Sequence, residues 1–72
     1  LFKMFDMFED EAKSLVKNKI SLPAYDQCLK ASHIFNILDA RGAISVAQRA
    51  EYIGRIREIT KLVAKIWIDT QV

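Results

Sequence analysis

The 72 residues read as an all-α chain that folds into a three-helix antiparallel bundle, with helices over about 1–18, 23–41 and 46–70. Three observations carry that reading. Apolar residues recur every three to four positions along three separate stretches. Two glycines and one proline are too few for a β-sandwich or barrel, which needs a turn roughly every 8–12 residues. Helix-stop and helix-start residues fall together at two places, around Asn18 to Pro23 and around Gly42 to Gln48.

The first helix gathers Leu1, Met4, Phe5, Phe8, Ala12, Leu15 and Val16 into an arc of roughly 120° at 100° per residue. Phe2 and Met7 flank that arc. The helix therefore carries more apolar surface than two neighbours cover, and when the chain is alone this end is expected to pack against another copy or to stay exposed. Glu9-Asp10-Glu11 precede Lys13, Lys17 and Lys19, the order a helix dipole favours, and read as a solvated face. No capping residue precedes Leu1, and Asp69-Thr70-Gln71-Val72 holds no glycine or proline stop, so a piece of a longer chain is expected.

A break at Asn18-Lys19-Ile20-Ser21 leads into the second helix. Pro23 suits its first turn, where a missing N–H has no intrahelical acceptor to lose, with Ser21 or Leu22 as the cap. Ala24, Cys28, Ala31, Phe35 and Leu38, flanked by Tyr25, form one stripe, while Ile34 and Ile37 point the other way. A helix apolar on more than one side belongs in the middle of the packing. Gly42 is placed to end it as a C′ residue with positive φ.

The third helix opens on a capping box, Ser45-Val46-Ala47-Gln48, in which each end residue can satisfy the other's backbone N–H. Tyr52, Ile56, Ile59, Val63, Ile66 and Trp67 form its apolar stripe, and Arg57, Lys61 and Lys65 an i, i+4 basic row opposite. Glu51 stands four residues before Arg55, a pairing worth about 0.3 kcal/mol. Gly54 in mid-helix costs up to about 1 kcal/mol relative to alanine. It suggests either the close approach of another backbone or tolerated drift.

Composition narrows the function classes. A chain of this length buries only about 60% of its unfolded surface, so stability is marginal without a staple or a partner. One cysteine excludes an internal disulfide, and Cys28 with the single His33 cannot make a tetrahedral zinc site. No apolar run approaches the roughly 18–20 residues of a membrane span, and no signal peptide is visible. A cytoplasmic setting without a membrane partner is expected.

Net charge is +2, too weak by itself to argue for nucleic acid. Residues 1–21 carry four basic and four acidic groups and 22–42 two and two, against five and three in 43–72. The whole excess therefore lies in the third segment, where an RNA backbone would find its best surface. The plainer reading of Arg57, Lys61 and Lys65 is the wet face of a helix.

Two further charges fall on apolar sides. Arg49 shares the angular position of Ile53 and Ile56, and Asp39 lies beside Tyr25, Cys28 and Ser32. Both flank the short connection from Ala40 to Ile44. A charge on a buried face needs a partner, so a structural Asp39–Arg49 pair is expected, or Arg49 bonded to the last carbonyls of the second helix. The alternative holds one of them ready for RNA or a neighbouring subunit. His33, with Asp26, Ile37 and Arg41, lies on the less apolar face and is not read as catalytic. Cys28 reads as a small core residue.

The stretch from Ser32 to Val46, Ser32-His33-Ile34-Phe35-Asn36-Ile37-Leu38-Asp39-Ala40-Arg41-Gly42-Ala43-Ile44-Ser45-Val46, is followed by Arg49 and by Tyr52-Ile53-Gly54-Arg55-Ile56-Arg57. These residues closely resemble the C-terminal helical region of the α chain of bacterial heterotetrameric glycyl-tRNA synthetase. Leu22-Pro23-Ala24-Tyr25 upstream and Leu62-Val63-Ala64 downstream fit as well, so the likeness covers most of the chain. The sequence departs in having Ala47-Gln48 where the family commonly reads Thr-Glu, but glutamine closes the same capping box.

The resemblance implies a class II aminoacyl-tRNA synthetase subunit that activates glycine with ATP and passes it to tRNA alongside a β subunit. Class II chemistry sits on an antiparallel sheet bearing arginines that bind ATP, and this chain has no strand pattern. The catalytic domain is then expected before Leu1, and no catalytic, cofactor-binding or metal residue is assigned here. The implied partners are the remainder of the α chain, the β subunit and tRNA. Candidate contacts with tRNA or a subunit are Arg41, Arg49, Arg55, Arg57, Lys61 and Lys65. A free-standing helical interaction module is the alternative, and strands with a class II arginine motif upstream would separate the two.

Overall fold

The computed structural model describes residues 1–70, with side chains for 1–69. Three helices follow one another: α1 (Phe2–Lys17), α2 (Ser21–Ala40) and α3 (Val46–Thr70). The 25 residues of α3 span about 37 Å at 1.5 Å per residue. That length sets the long axis of a body measuring 42 × 18 × 15 Å. Of the three pairings, α1 on α2 is the most extensive, α2 on α3 comes next and α1 on α3 is the thinnest. The two-sided apolar pattern of α2 thus does place it in the middle.

Both connections are short because both helices before them end in the same way. At the end of α1, the Ile20 N–H donates to Leu15 O at 2.9 Å and the Lys19 N–H to Val16 O at 2.9 Å. At the end of α2, the Ala43 N–H donates to Leu38 O and the Gly42 N–H to Asp39 O, each at 3.1 Å. These paired bonds are Schellman motifs, which need a left-handed residue at C′. Gly42 supplies it at φ 66°, as expected. At the first site the left-handed residue is Lys19, at φ 59°, where a side chain is strained. Asn18 braces that turn through its amide, which donates to Ser14 O at 2.9 Å.

The tight first turn moves the start of α2. Ile20, not Ser21 or Leu22, is its N-cap, and no side chain caps it. The helix begins at Ser21, so Pro23 stands third. That is still within the first turn, where its missing N–H leaves nothing unpaired. The start of α3 follows the sequence expectation: Gln48 N–H donates to Ser45 Oγ at 3.2 Å and Ser45 N–H to Gln48 Oε1 at 3.0 Å.

The core has two layers. Phe5, Ala31, Ile34, Phe35, Leu38 and Tyr52 fill the layer near the α2–α3 connection. Ala12, Ala24, Cys28, Ile59, Val63 and Ile66 fill the layer near the α1–α2 turn. Phe5 and Ile59 are the largest fully buried side chains, one in each layer. Ile34, on the second apolar side of α2, is buried in the layer that includes Phe5 of α1. Leu1, Met4, Tyr25 and Trp67, all placed on or beside the apolar stripes, remain exposed. A Cβ at Gly54 would meet nothing within 4 Å, so close backbone approach does not account for that glycine. Among the described residues, no helix is long and apolar enough to cross a membrane.

Candidate contact surfaces

Arg55 is engaged within the fold. The expected bond to Glu51 is replaced by contacts with α1: its Nε donates to Glu9 Oε2 at 2.9 Å and its Nη2 to Glu9 Oε1 at 2.5 Å. The same Nη2 reaches Asp6 Oδ1 at 2.6 Å. The guanidinium also lies 4.8 Å from the Phe5 ring centroid and 4.9 Å from that of Tyr52. Tyr52 meets Phe5 edge-on at 4.7 Å, so the cation sits against an aromatic pair that joins α1 to α3.

Glu9 was expected on a wet face and is instead 6% exposed. Its place four residues after Phe5 and three before Ala12 puts it at the edge of the apolar arc, between Val16 and Phe2, a signal that the surrounding acidic run obscures. The Arg55 hydrogen bonds hold the Glu9 carboxyl below its ordinary 4.5 against the opposing effect of burial, with the nearby charges of Arg55 and Lys13 assisting. Arg55 is held protonated above its usual range, chiefly by the hydrogen bond to Glu9. A buried acid recruits the cation because an unpaired charge there is costly, whereas Glu51 on the surface remains hydrated.

Arg49 and Asp39 do pair, at 3.4 Å, but in water: their side chains are 58% and 34% exposed. Arg49 follows the apolar angle of α3, yet it lies one turn outside Tyr52, the outermost buried residue of that helix, where no neighbour covers it. The expectation of a buried pair is corrected to a surface one.

Arg41, Arg57, Lys61 and Lys65 are exposed and have no ion-pair partner among the described residues. Other basic residues are occupied: Lys30 meets Asp26 at 3.3 Å, and Lys13 meets Glu9 at 4.0 Å. The three on α3 form a row of unpaired basic side chains, with successive charges about 6 Å apart along the axis and the exposed acids Glu58 and Asp69 beside it. Phe2 and Met7 stay exposed on α1, as its apolar excess requires. Cys28 is buried, with Sγ 3.3 Å from Thr60 Oγ1. His33 lies on the surface beside Met4 and Phe8. Among the described residues, no group of His, Cys, Asp and Glu is arranged to hold a metal.

A family model described as "Glycyl-tRNA synthetase alpha subunit" matches residues 1–72. The chain is 56% identical over 68 residues to "Glycine–tRNA ligase" of Chlamydia pneumoniae, covering 94% of this chain and 7% of that protein. It is 52% identical over 71 residues to "Glycine–tRNA ligase, chloroplastic/mitochondrial 2" of Arabidopsis thaliana, covering 99% of this chain and again 7% of the relative. The chain thus spans about a fourteenth of the length of these relatives. With a match from the first residue to the last, and more than half of the aligned positions identical in both relatives, the chain belongs to the glycyl-tRNA synthetase alpha subunit family.

Proposed function

We propose that this chain is the C-terminal helical region of a glycine–tRNA ligase α chain, and that it is a supporting and contact domain rather than a catalytic one. The ligase as a whole would attach glycine to tRNA with ATP. The glycine and ATP sites would lie in the remainder of the chain, and the setting would be cytoplasmic. The partners are that remainder, the β subunit and tRNA. The observation that carries the reading is the exposed row Arg57, Lys61 and Lys65, none of which has an ion-pair partner among the described residues. Arg55 leaves the set of contact candidates because its charge is used within the fold. Arg41 and Arg49, at the α2–α3 corner, remain in it.

The test uses the full-length ligase carrying Arg57→Gln, Lys61→Gln and Lys65→Gln together. Transfer of glycine to tRNA, or association of α with β, is expected to fall more than tRNA-independent glycine activation. If the row meets RNA phosphates, the slope of log affinity against log salt falls by about 2 for three lost charges. Transfer, association and salt slope all at wild-type values refute the proposal.

A further inference from the structure

An open groove of about 440 Å³ runs between the start of α2 and the last turns of α3. Leu22 and Tyr25 form one wall, and Ala64, Trp67 and Ile68 the other, over a floor of Val63 and Thr60. Leu22, Tyr25, Trp67 and Ile68 are 63%, 51%, 43% and 67% exposed, a concentration of large apolar side chains that marks a contact site. Thr60, the polar group of the floor, donates to Ile56 O at 2.8 Å and lies 3.3 Å from Cys28 Sγ, so its hydroxyl is engaged within the fold.

Charge selects among occupants. Lys61 and Lys65 stand one turn apart on the α3 side, about 60° around the helix from Ala64 and Ile68 respectively, and so rim the groove. Neither has an ion-pair partner among the described residues, while Asp26, near the opposite wall, is paired with Lys30. A nucleobase inserted here would leave its hydrogen-bonding edge largely unmatched against an almost wholly apolar lining. A second copy docking face to face through this groove would bring the same lysines together, like against like. An amphipathic helix meets neither objection: its apolar i, i+3, i+4, i+7 side chains fill the groove and flanking carboxylates meet the lysines.

We infer that this groove seats an acidic amphipathic helix of a protein partner. The inference rests on the reading of the outer side of α3 as a contact surface, and deepens it by naming a protein helix as the occupant at its C-terminal half. The test is a photo-crosslinking residue, p-benzoylphenylalanine, placed at the exposed Ile68 of the full-length ligase, with the β subunit and tRNA present. A crosslink to a protein segment with that apolar spacing and net negative charge is expected. Lys61→Glu with Lys65→Glu should lower its yield about tenfold, as attractive rim pairs become repulsive.

A crosslink to tRNA, to a second copy of this segment or to a segment without acidic residues overturns the inference. So does a yield indifferent to the two reversals, or no crosslink at all. The contact reading is judged separately by the triple glutamine variant: impaired transfer or association with a tRNA crosslink at Ile68 would sink the helix inference alone.

Discussion

Arg55→Ala removes the one side chain among the described residues that ties α3 to α1 by charge, across the thinnest of the three helix pairings. Three losses coincide. Glu9, 6% exposed, keeps a carboxylate that Lys13 at 4.0 Å compensates only in part. The cation leaves the Phe5–Tyr52 pair, and Asp6 loses its partner. Breaking a buried pair costs about 3–5 kcal/mol, but Arg55 is 27% exposed and Asp6 56%, so the expected loss is nearer 2–3 kcal/mol. For a domain of this size that lowers Tm by about 10–20 °C. Arg49→Ala and Arg57→Ala, which remove exposed charges, should each cost under about 1 kcal/mol. Urea and thermal melts of the three variants, followed by helical circular dichroism, give the comparison. A double-mutant cycle with Glu9→Ala isolates the pair, with an expected coupling of about 1–3 kcal/mol. Equal losses in all three single variants, or strict additivity in the cycle, refute the reasoning that the buried carboxylate makes Arg55 exceptional.

The same carboxylate sets an acid limit. A folded pKa held below 4.5 adds stability that is fully present above that value and lost as pH falls through the lower folded one. Melts between pH 6 and about pH 3 should therefore show Glu9→Gln less acid-sensitive than the parent, and parallel curves would count against the shift. Lys19→Gly should stabilise by about 1 kcal/mol, since glycine carries no side chain into the left-handed turn; unchanged urea midpoints would contradict this. Gly54→Ala, with open space around the new Cβ, should raise stability by about 0.5–1 kcal/mol in the same melts.

The apolar bodies of these helices also explain why the groove and the exposed end of α1 are left open. Ile59, Val63 and Ile66 are buried against α2 and α1, but Trp67 and Ile68 lie at the edge of that cover. Met7 projects from α1 beyond the line that α2 and α3 can reach, while Phe2 stays partly exposed with its ring 5.9 Å from that of Tyr52. Both surfaces are apolar for the same reason: three helices offer two neighbours to each, and the sequence supplies apolar groups beyond the arc that two neighbours bury.

What the amino-acid order settled by itself is local. The capping box at Ser45 and Gln48, the left-handed Gly42 and the periodicity of three helices depend on groups no more than a few residues apart, so their geometry follows from chain connectivity. The family resemblance was legible in the same one-dimensional order. The partner of Arg55 was not, because Glu51 is four residues away and Glu9 forty-six, and no local rule weighs a hydrated acid against a desolvated one. Nor was the exposure of Arg49, whose helical angle is that of the core but whose height along α3 is beyond it. Angle around a helix belongs to the sequence, while depth is decided by where the neighbouring helices begin and stop. Only the packed chain therefore showed which charges are spent holding the fold together and which stay exposed without an ion-pair partner among the described residues.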